Sequence, residues 1–156
     1  MPDLIQYRIY PSSPEAHIFS VTLLVKTPTA SGQLLSLPAW IPGSYMIRDF
    51  ARNLISITAS CDGNPVTLSK LDKQTWKVAQ VSGELKIQYE VYAWDLSVRG
   101  AHLDSTHGFF NGTSVFLQVV GQEDQPVLLE ISRPAGNQYL AWIIGTSMPV
   151  KSVDQQ

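Results

Sequence analysis

Leu85-Lys86-Ile87-Gln88-Tyr89-Glu90-Val91-Tyr92-Ala93 is the stretch whose reading decides the fold. Leu85, Ile87, Tyr89, Val91 and Ala93 alternate with Lys86, Gln88 and Glu90. A period of two sends one set of side chains to a buried face and the other to water, the pattern of a half-buried strand. The same period recurs upstream. Ile5, Tyr7 and Ile9 alternate with Gln6 and Arg8, and Phe19, Val21, Leu23 and Val25 alternate with Ser20 and Thr22. Residues 54–61, 65–69, 75–79, 113–120, 126–132 and 139–144 read as further short strands.

Turn residues punctuate these runs. Asp62-Gly63-Asn64-Pro65 is a strong hairpin signal, Ser82-Gly83 separates two more strands, and Pro134-Ala135-Gly136-Asn137 does the same near the C-terminus. About eight to ten short strands at roughly 8–15-residue spacing predict an all-β, antiparallel β-sandwich. Two stretches fit no simple strand. Residues 44–53 predict a short helical turn, with Ser44 as N-cap and Met46, Phe50 and Leu54 on one face. Residues 95–112 form a long polar loop, and unpaired loops of such length are often functional. No linker divides the chain, so residues 1–150 are expected to form one domain and 151–156 a frayed polar tail.

Composition bounds the rest. The 156 residues are 44% hydrophobic, 10% aromatic and only 15% charged. That apolar content excludes disorder. Eleven Lys+Arg against 13 Asp+Glu, a net charge of -2, exclude a nucleic-acid binder held by phosphate contacts. A single cysteine, Cys61, excludes a disulfide framework and a Cys-rich zinc module, and on its predicted strand it reads as a small buried hydrophobe. No apolar run approaches the roughly 20 residues that cross a bilayer, so no membrane span is expected. Met1-Pro2-Asp3-Leu4 shows no signal-peptide pattern, and a cytoplasmic location is expected.

Few residue sets carry chemistry. His102, Asp104 and His107 form an H-x-D-x2-H cluster whose donors suit zinc, iron or nickel. Its spacing matches no well-specified site, so no metal is assigned and the plainer reading is an exposed polar loop. HExxH, G-x-S-x-G and G-x-G-x-x-G are absent. Asn111-Gly112-Thr113 is a sequon that reads as an ordinary loop end, with Gly112 at a special backbone angle. Trp40, Trp76, Trp94 and Trp142 suit a sugar-binding face, but each lies in an apolar strand pattern, where core packing is the default. Arg48, Asp49 and Arg52 are close enough in sequence for a partly buried Arg–Asp pair, or for a solvated face. These residues alone support a β-sandwich with a binding or accessory role.

Leu37-Pro38-Ala39-Trp40-Ile41-Pro42-Gly43-Ser44-Tyr45-Met46-Ile47-Arg48-Asp49-Phe50-Ala51-Arg52-Asn53 closely resembles the signature near the N-terminus of the glycyl aminopeptidase family of zinc metallopeptidases. These are gluzincins with a C-terminal PDZ domain. Two further strings, 91–104 and 108–116, resemble the same family in order and spacing, so the resemblance covers essentially the whole chain. It implies an N-terminal β-sandwich followed by a thermolysin-like catalytic domain and a PDZ domain. The zinc motif lies beyond the matched part, so this chain is expected to hold no catalytic residue and no cofactor, with zinc in the absent catalytic domain. By the same resemblance the sandwich packs on its own catalytic domain and closes one side of a cleft for a peptide substrate. Asp104, Asn111, Gly112 and Thr113 are the cleft candidates, because oxygens there suit a substrate ammonium. Trp40, Tyr45, Arg48 and Asp49 are the domain-interface candidates. A sandwich lacking its partner is expected to expose apolar surface and to self-associate. The alternative is a free-standing module that binds carbohydrate or peptide.

Overall fold

The computed structural model describes residues 5–153. In chain order its strands are β1 (Ile5–Ser13), β2 (Ile18–Val25), β3 (Leu34–Ser36), β4 (Leu54–Cys61), β5 (Asn64–Val66), β6 (Leu68–Lys70), β7 (Thr75–Val78), β8 (Leu85–Tyr92), β9 (Ala101–Leu103), β10 (Gly108–Phe110), β11 (Gln118–Val119) and β12 (Val127–Ile131). One helical turn, α1 (Gly112–Val115), precedes β11. The all-β sandwich expectation is borne out. A six-stranded sheet, β12-β1-β2-β8-β4-β5, faces a four-stranded sheet, β11-β3-β7-β6, and β9 and β10 form a separate hairpin.

The period-two runs explain the core. β2 and β8 pair along their whole length, from Ile18 opposite Tyr92 to Val25 opposite Leu85. This register puts Phe19, Val21, Leu23 and Val25 on the same buried face as Leu85, Ile87, Tyr89 and Val91. Leu35, Trp76, Val78 and Val119 from the smaller sheet join them in one core. Burying each large aliphatic chain stabilises the fold by about 1.5–3 kcal/mol. The Asp62-Gly63 turn forms as expected. Both residues take positive φ, 49° and 81°, and Cys61 pairs with Asn64 across it.

Several local expectations are corrected. β12 pairs with β1 in parallel, Ile5 opposite Val127 through Ile9 opposite Ile131, because the chain crosses over before entering the sheet edge. The 65–69 run splits at Thr67 into β5 and β6, which belong to different sheets. The expected strand at 113–120 survives only as β11, and its first half is a capped turn. Asn111 Oδ1 accepts from Thr113 N at 3.1 Å and Ser114 Oγ donates to Asn111 O at 2.7 Å, so local side-chain bonds outcompete pairing. Gly112 is therefore the first residue of α1, with no left-handed backbone angle. Residues 139–144 form no strand, since Tyr139, Leu140 and Trp142 amides bond back three residues. The helical turn shrinks to a 3-10 turn at Phe50–Asn53. Ser44 does not cap it, and Asp49, at φ 47°, breaks any helix before Phe50. Met46 is consequently exposed while Phe50 is buried. Cys61 is half-buried, its Sγ 3.8 Å from Asp62 Oδ2, not a core residue. Of the predicted tail, 151–153 are exposed and without regular structure, and 154–156 lie outside the described residues. No helix among the described residues is long and apolar enough to cross a membrane.

Candidate functional site

Two surfaces collect the candidate residues. The first is the segment joining β3 to β4. Ile41-Pro42-Gly43-Ser44 is a tight turn closed by Ser44 N donating to Ile41 O at 3.2 Å, with Gly43 at φ 83°, an angle only glycine adopts freely. The next residues are locked from beneath. Trp40 Nε1 donates to Ser44 O at 2.8 Å, and the buried Ser44 hydroxyl donates to Met46 O at 3.0 Å and accepts from Met46 N and Arg48 Nε at 3.3 Å. Ala39 O takes both Arg48 N and Asp49 N. The lock leaves apolar side chains outside: Tyr45 is fully exposed, Met46 and Ile47 largely so, and Trp40 is 46% exposed. The expected Arg–Asp pair does not form. Asp49 Oδ1 instead lies 2.9 Å from Lys73 Nζ, a charge contact without hydrogen-bond geometry.

The second surface is the β9–β10 hairpin. Asp95 N donates to Ala101 O and Leu103 N to Ala93 O, which seats Trp94 opposite His102. On the other side Ala93 N donates to His17 O. His17, in the turn before β2, and His102, on β9, thus flank Trp94, with ring centroids at 3.9 and 4.9 Å and tilts of 35° and 31°. His107 extends the ladder, 5.0 Å from His102. His17 Nδ1 donates to Leu103 O at 2.6 Å. Trp40 and Trp94 therefore correct the core expectation for all four tryptophans. Trp94 is 55% exposed, Trp76 is buried and Trp142 is half-buried.

The cleft candidates fall on this hairpin and its exit, but the oxygens of Asp104, Asn111 and Gly112 are engaged. Asp104 Oδ1 accepts from Thr106 N at 2.7 Å, Thr106 Oγ1 at 2.6 Å and His107 N at 3.0 Å, while Oδ2 accepts from His102 Nε2 at 3.0 Å. These bonds, from Thr106 first and His102 next, hold its carboxyl well below the usual range. Asn111 Oδ1 caps α1, Gly112 O accepts from Phe116 N, and Thr113 N is spent on Asn111. All three are half-buried.

Two features escaped the sequence reading. His17 joins the aromatic ladder from the distant turn between β1 and β2, and the only hint was that the chain has just three histidines. Tyr89 and Tyr7 use their hydroxyls inside the core. Tyr89 Oη donates to Val115 O at 2.7 Å and accepts from Leu117 N at 3.1 Å, and Tyr7 Oη donates to Leu117 O at 2.5 Å. Burial pushes Tyr7 up to about 12 and Tyr89 further still.

An aminopeptidase N family protein from Idiomarina loihiensis is 40% identical in sequence and superposes with a TM-score of 0.92. The match takes in 97% of this chain and 25% of that protein, so this chain spans about a quarter of its relative's length. An M1 zinc metallopeptidase from Deinococcus radiodurans is more distant, at 18% identity and a TM-score of 0.49 over 85% of this chain and 32% of that one. Curated proteins give no match. The N-terminal domain of the M61 peptidases matches residues 6–156, which covers all three strings that resembled the glycyl aminopeptidases, and the chain belongs to that family.

Proposed function

We propose that this chain is the non-catalytic N-terminal domain of a zinc-dependent aminopeptidase. In this reading it packs on its own catalytic domain through the 40–49 segment and forms one wall of the cleft for a peptide substrate. The observation that carries it is the exposure of Tyr45, Met46 and Ile47 on a segment fixed by its own hydrogen bonds. A monomer gains nothing by presenting three apolar side chains to water on an anchored backbone, and such patches mark interfaces. The quarter-length match to a larger aminopeptidase family protein supports a partner on the same polypeptide. Arg48 and Asp49 border the patch and Trp40 braces it.

The 104–114 region borders the cleft in this reading and shapes it. Direct capture of a substrate ammonium by Asp104 or Asn111 has little support, since the oxygens suited to it already accept hydrogen bonds. Zinc, the PDZ domain and the catalytic step belong to the rest of the polypeptide, and a cytoplasmic location completes the proposal. A carbohydrate module is less favoured. Sugars stack on open indole faces, whereas Trp94 is flanked by His17 and His102.

The test is the longer polypeptide, read and expressed beyond residue 156. An HExxH motif downstream and metal-dependent aminopeptidase activity are expected. Tyr45→Ser with Ile47→Ser should lower that activity and split one calorimetric transition into two. A longer product with no HExxH, or one whose activity and unfolding ignore both substitutions, overturns the proposal.

A further inference from the structure

All three histidines meet at one end of the sandwich, and two of them share that end with a carboxylate. One donor atom from each of His102, Asp104 and His107 lies within 4.8 Å of the other two. We propose that these three residues form a binding site for a first-row transition-metal dication such as zinc or cobalt.

The donor set selects the metal class. Two imidazole nitrogens and one carboxylate oxygen suit zinc, cobalt, nickel or copper, whereas calcium and magnesium take oxygen shells. The donors lie near the separation such an ion needs, within reach of a small side-chain adjustment. Metal–ligand bonds of about 2.0–2.2 Å at tetrahedral angles separate donors by roughly 3.3–3.6 Å. His102 Nε2 is 3.0 Å from Asp104 Oδ2, and His107 Nδ1 is 3.5 Å from Asp104 Oδ1.

Two of the ligands are fixed before any ion arrives. His102 is buried in β9 with its ring against Trp94, and Asp104 is held by Thr106 and by the His107 amide. His107 is exposed, so water has access to the remaining coordination position, and its ring closes on the ion by exchanging the 2.9 Å hydrogen bond between Nδ1 and Thr106 Oγ1 for the metal. The hairpin supplies the convergence, because Gly108 pairs with Leu103 and so returns His107 to the level of Asp104.

The protonation balance sets the strength. Without metal, His102 Nε2 donates its proton to Asp104. An ion there takes that place, and a neutral ring must then carry its proton on Nδ1. That nitrogen is buried and has no hydrogen-bond partner. Losing an outer acceptor of this kind weakens metal sites about 10–100-fold. The site is therefore an exchangeable one and does not hold the fold together.

The test uses the untagged 156-residue chain in a non-coordinating buffer, titrated with zinc chloride by calorimetry and with cobalt chloride by visible absorption. Saturable binding of a single ion is expected, with ligand-field bands from cobalt. His107→Ala should weaken binding at least about tenfold, as should Asp104→Asn. His107 is exposed, so its variant keeps the fold, checked by near-ultraviolet circular dichroism. His17→Gln should leave the affinity unchanged. Absence of saturable binding, or affinity that His107→Ala leaves intact, overturns the proposal.

Discussion

Tyr89→Phe removes one oxygen from the centre of the molecule, and the consequence follows from what that oxygen touches. The Tyr89 side chain is 2% exposed on β8. Its hydroxyl donates to Val115 O and accepts from Leu117 N, pegging the strandless 115–117 segment to the six-stranded sheet. Phenylalanine keeps the ring packing and creates no cavity of note. It strands one carbonyl and one amide among residues that are themselves fully buried. An unpaired buried group costs about 1–3 kcal/mol. Two such groups, less the lower desolvation cost of phenylalanine, give a net loss of roughly 2–4 kcal/mol. For a domain of this size that corresponds to a fall in Tm of roughly 5–15 °C. Urea unfolding followed by tryptophan fluorescence measures it, with the midpoint shifting at constant slope. Tyr7→Phe should cost less, since its hydroxyl serves only Leu117 O. A Tyr89→Phe variant within about 0.5 kcal/mol of the parent, the range of an ordinary surface substitution, would refute the peg.

The same two hydroxyls set an alkaline limit. Tyr7 is raised to about 12 in the fold, so its stabilisation is complete below the unfolded value near 10 and is lost as pH climbs from there toward 12. Two units correspond to about 3 kcal/mol, and urea midpoints at stepped pH should drop across that window less steeply in Tyr7→Phe. Tyr45→Ser with Ile47→Ser should abolish self-association of the isolated chain in sedimentation velocity while leaving its unfolding midpoint unchanged. An association that survives both changes would place the sticky surface elsewhere. Gly32→Ala puts a Cβ 2.7 Å from Val78 O at φ 105° and should cost more than about 2 kcal/mol, whereas Gly63→Ala, with open space at φ 81°, should cost about 1 kcal/mol. Equal losses at the two glycines would show that the contact with Val78 relaxes freely.

Strands were legible wherever burial alternates. β1, β2 and β8 bury every second residue, so their sequences carry the period directly. The reading failed where a local hydrogen bond outranked side-chain pattern. Asn111 turned an apparent strand into α1, and the left-handed Asp49 cut short a helix that apolar spacing favoured. Parallel pairing of β12 had no signature, because an edge strand's alternation is the same in either direction. The candidate site divided in the same way. Tyr45 and Arg48 lie together on the 40–49 segment, the first exposed and the second half-buried, whereas Trp94 lies outside the core with His17 and His102 on its flanks. Neither partner is sequence-adjacent to it, and pairing between strands is what brings them together.

Under the proposed function the 40–49 segment, and not the aromatic ladder, is the docking surface. The ladder satisfies itself: each ring already has a neighbour at 3.9 to 5.0 Å, so a partner would replace existing contacts. The segment has spent its polar groups inward, on Ser44 and Ala39, and has left Tyr45, Met46 and Ile47 facing water. A surface of that kind saves the cost of ordering its backbone on association and leaves only about 0.5–1.5 kcal/mol for each side chain it immobilises. Here the backbone is ordered in advance by a proline-glycine turn and a serine hydroxyl. Ser44→Ala should therefore weaken docking more than it weakens the fold, because it loosens the segment without removing any side chain that touches the partner. If domain docking in the longer polypeptide is unchanged by Ser44→Ala while Tyr45→Ser abolishes it, rigidity contributes nothing and apolar contact alone drives the interface.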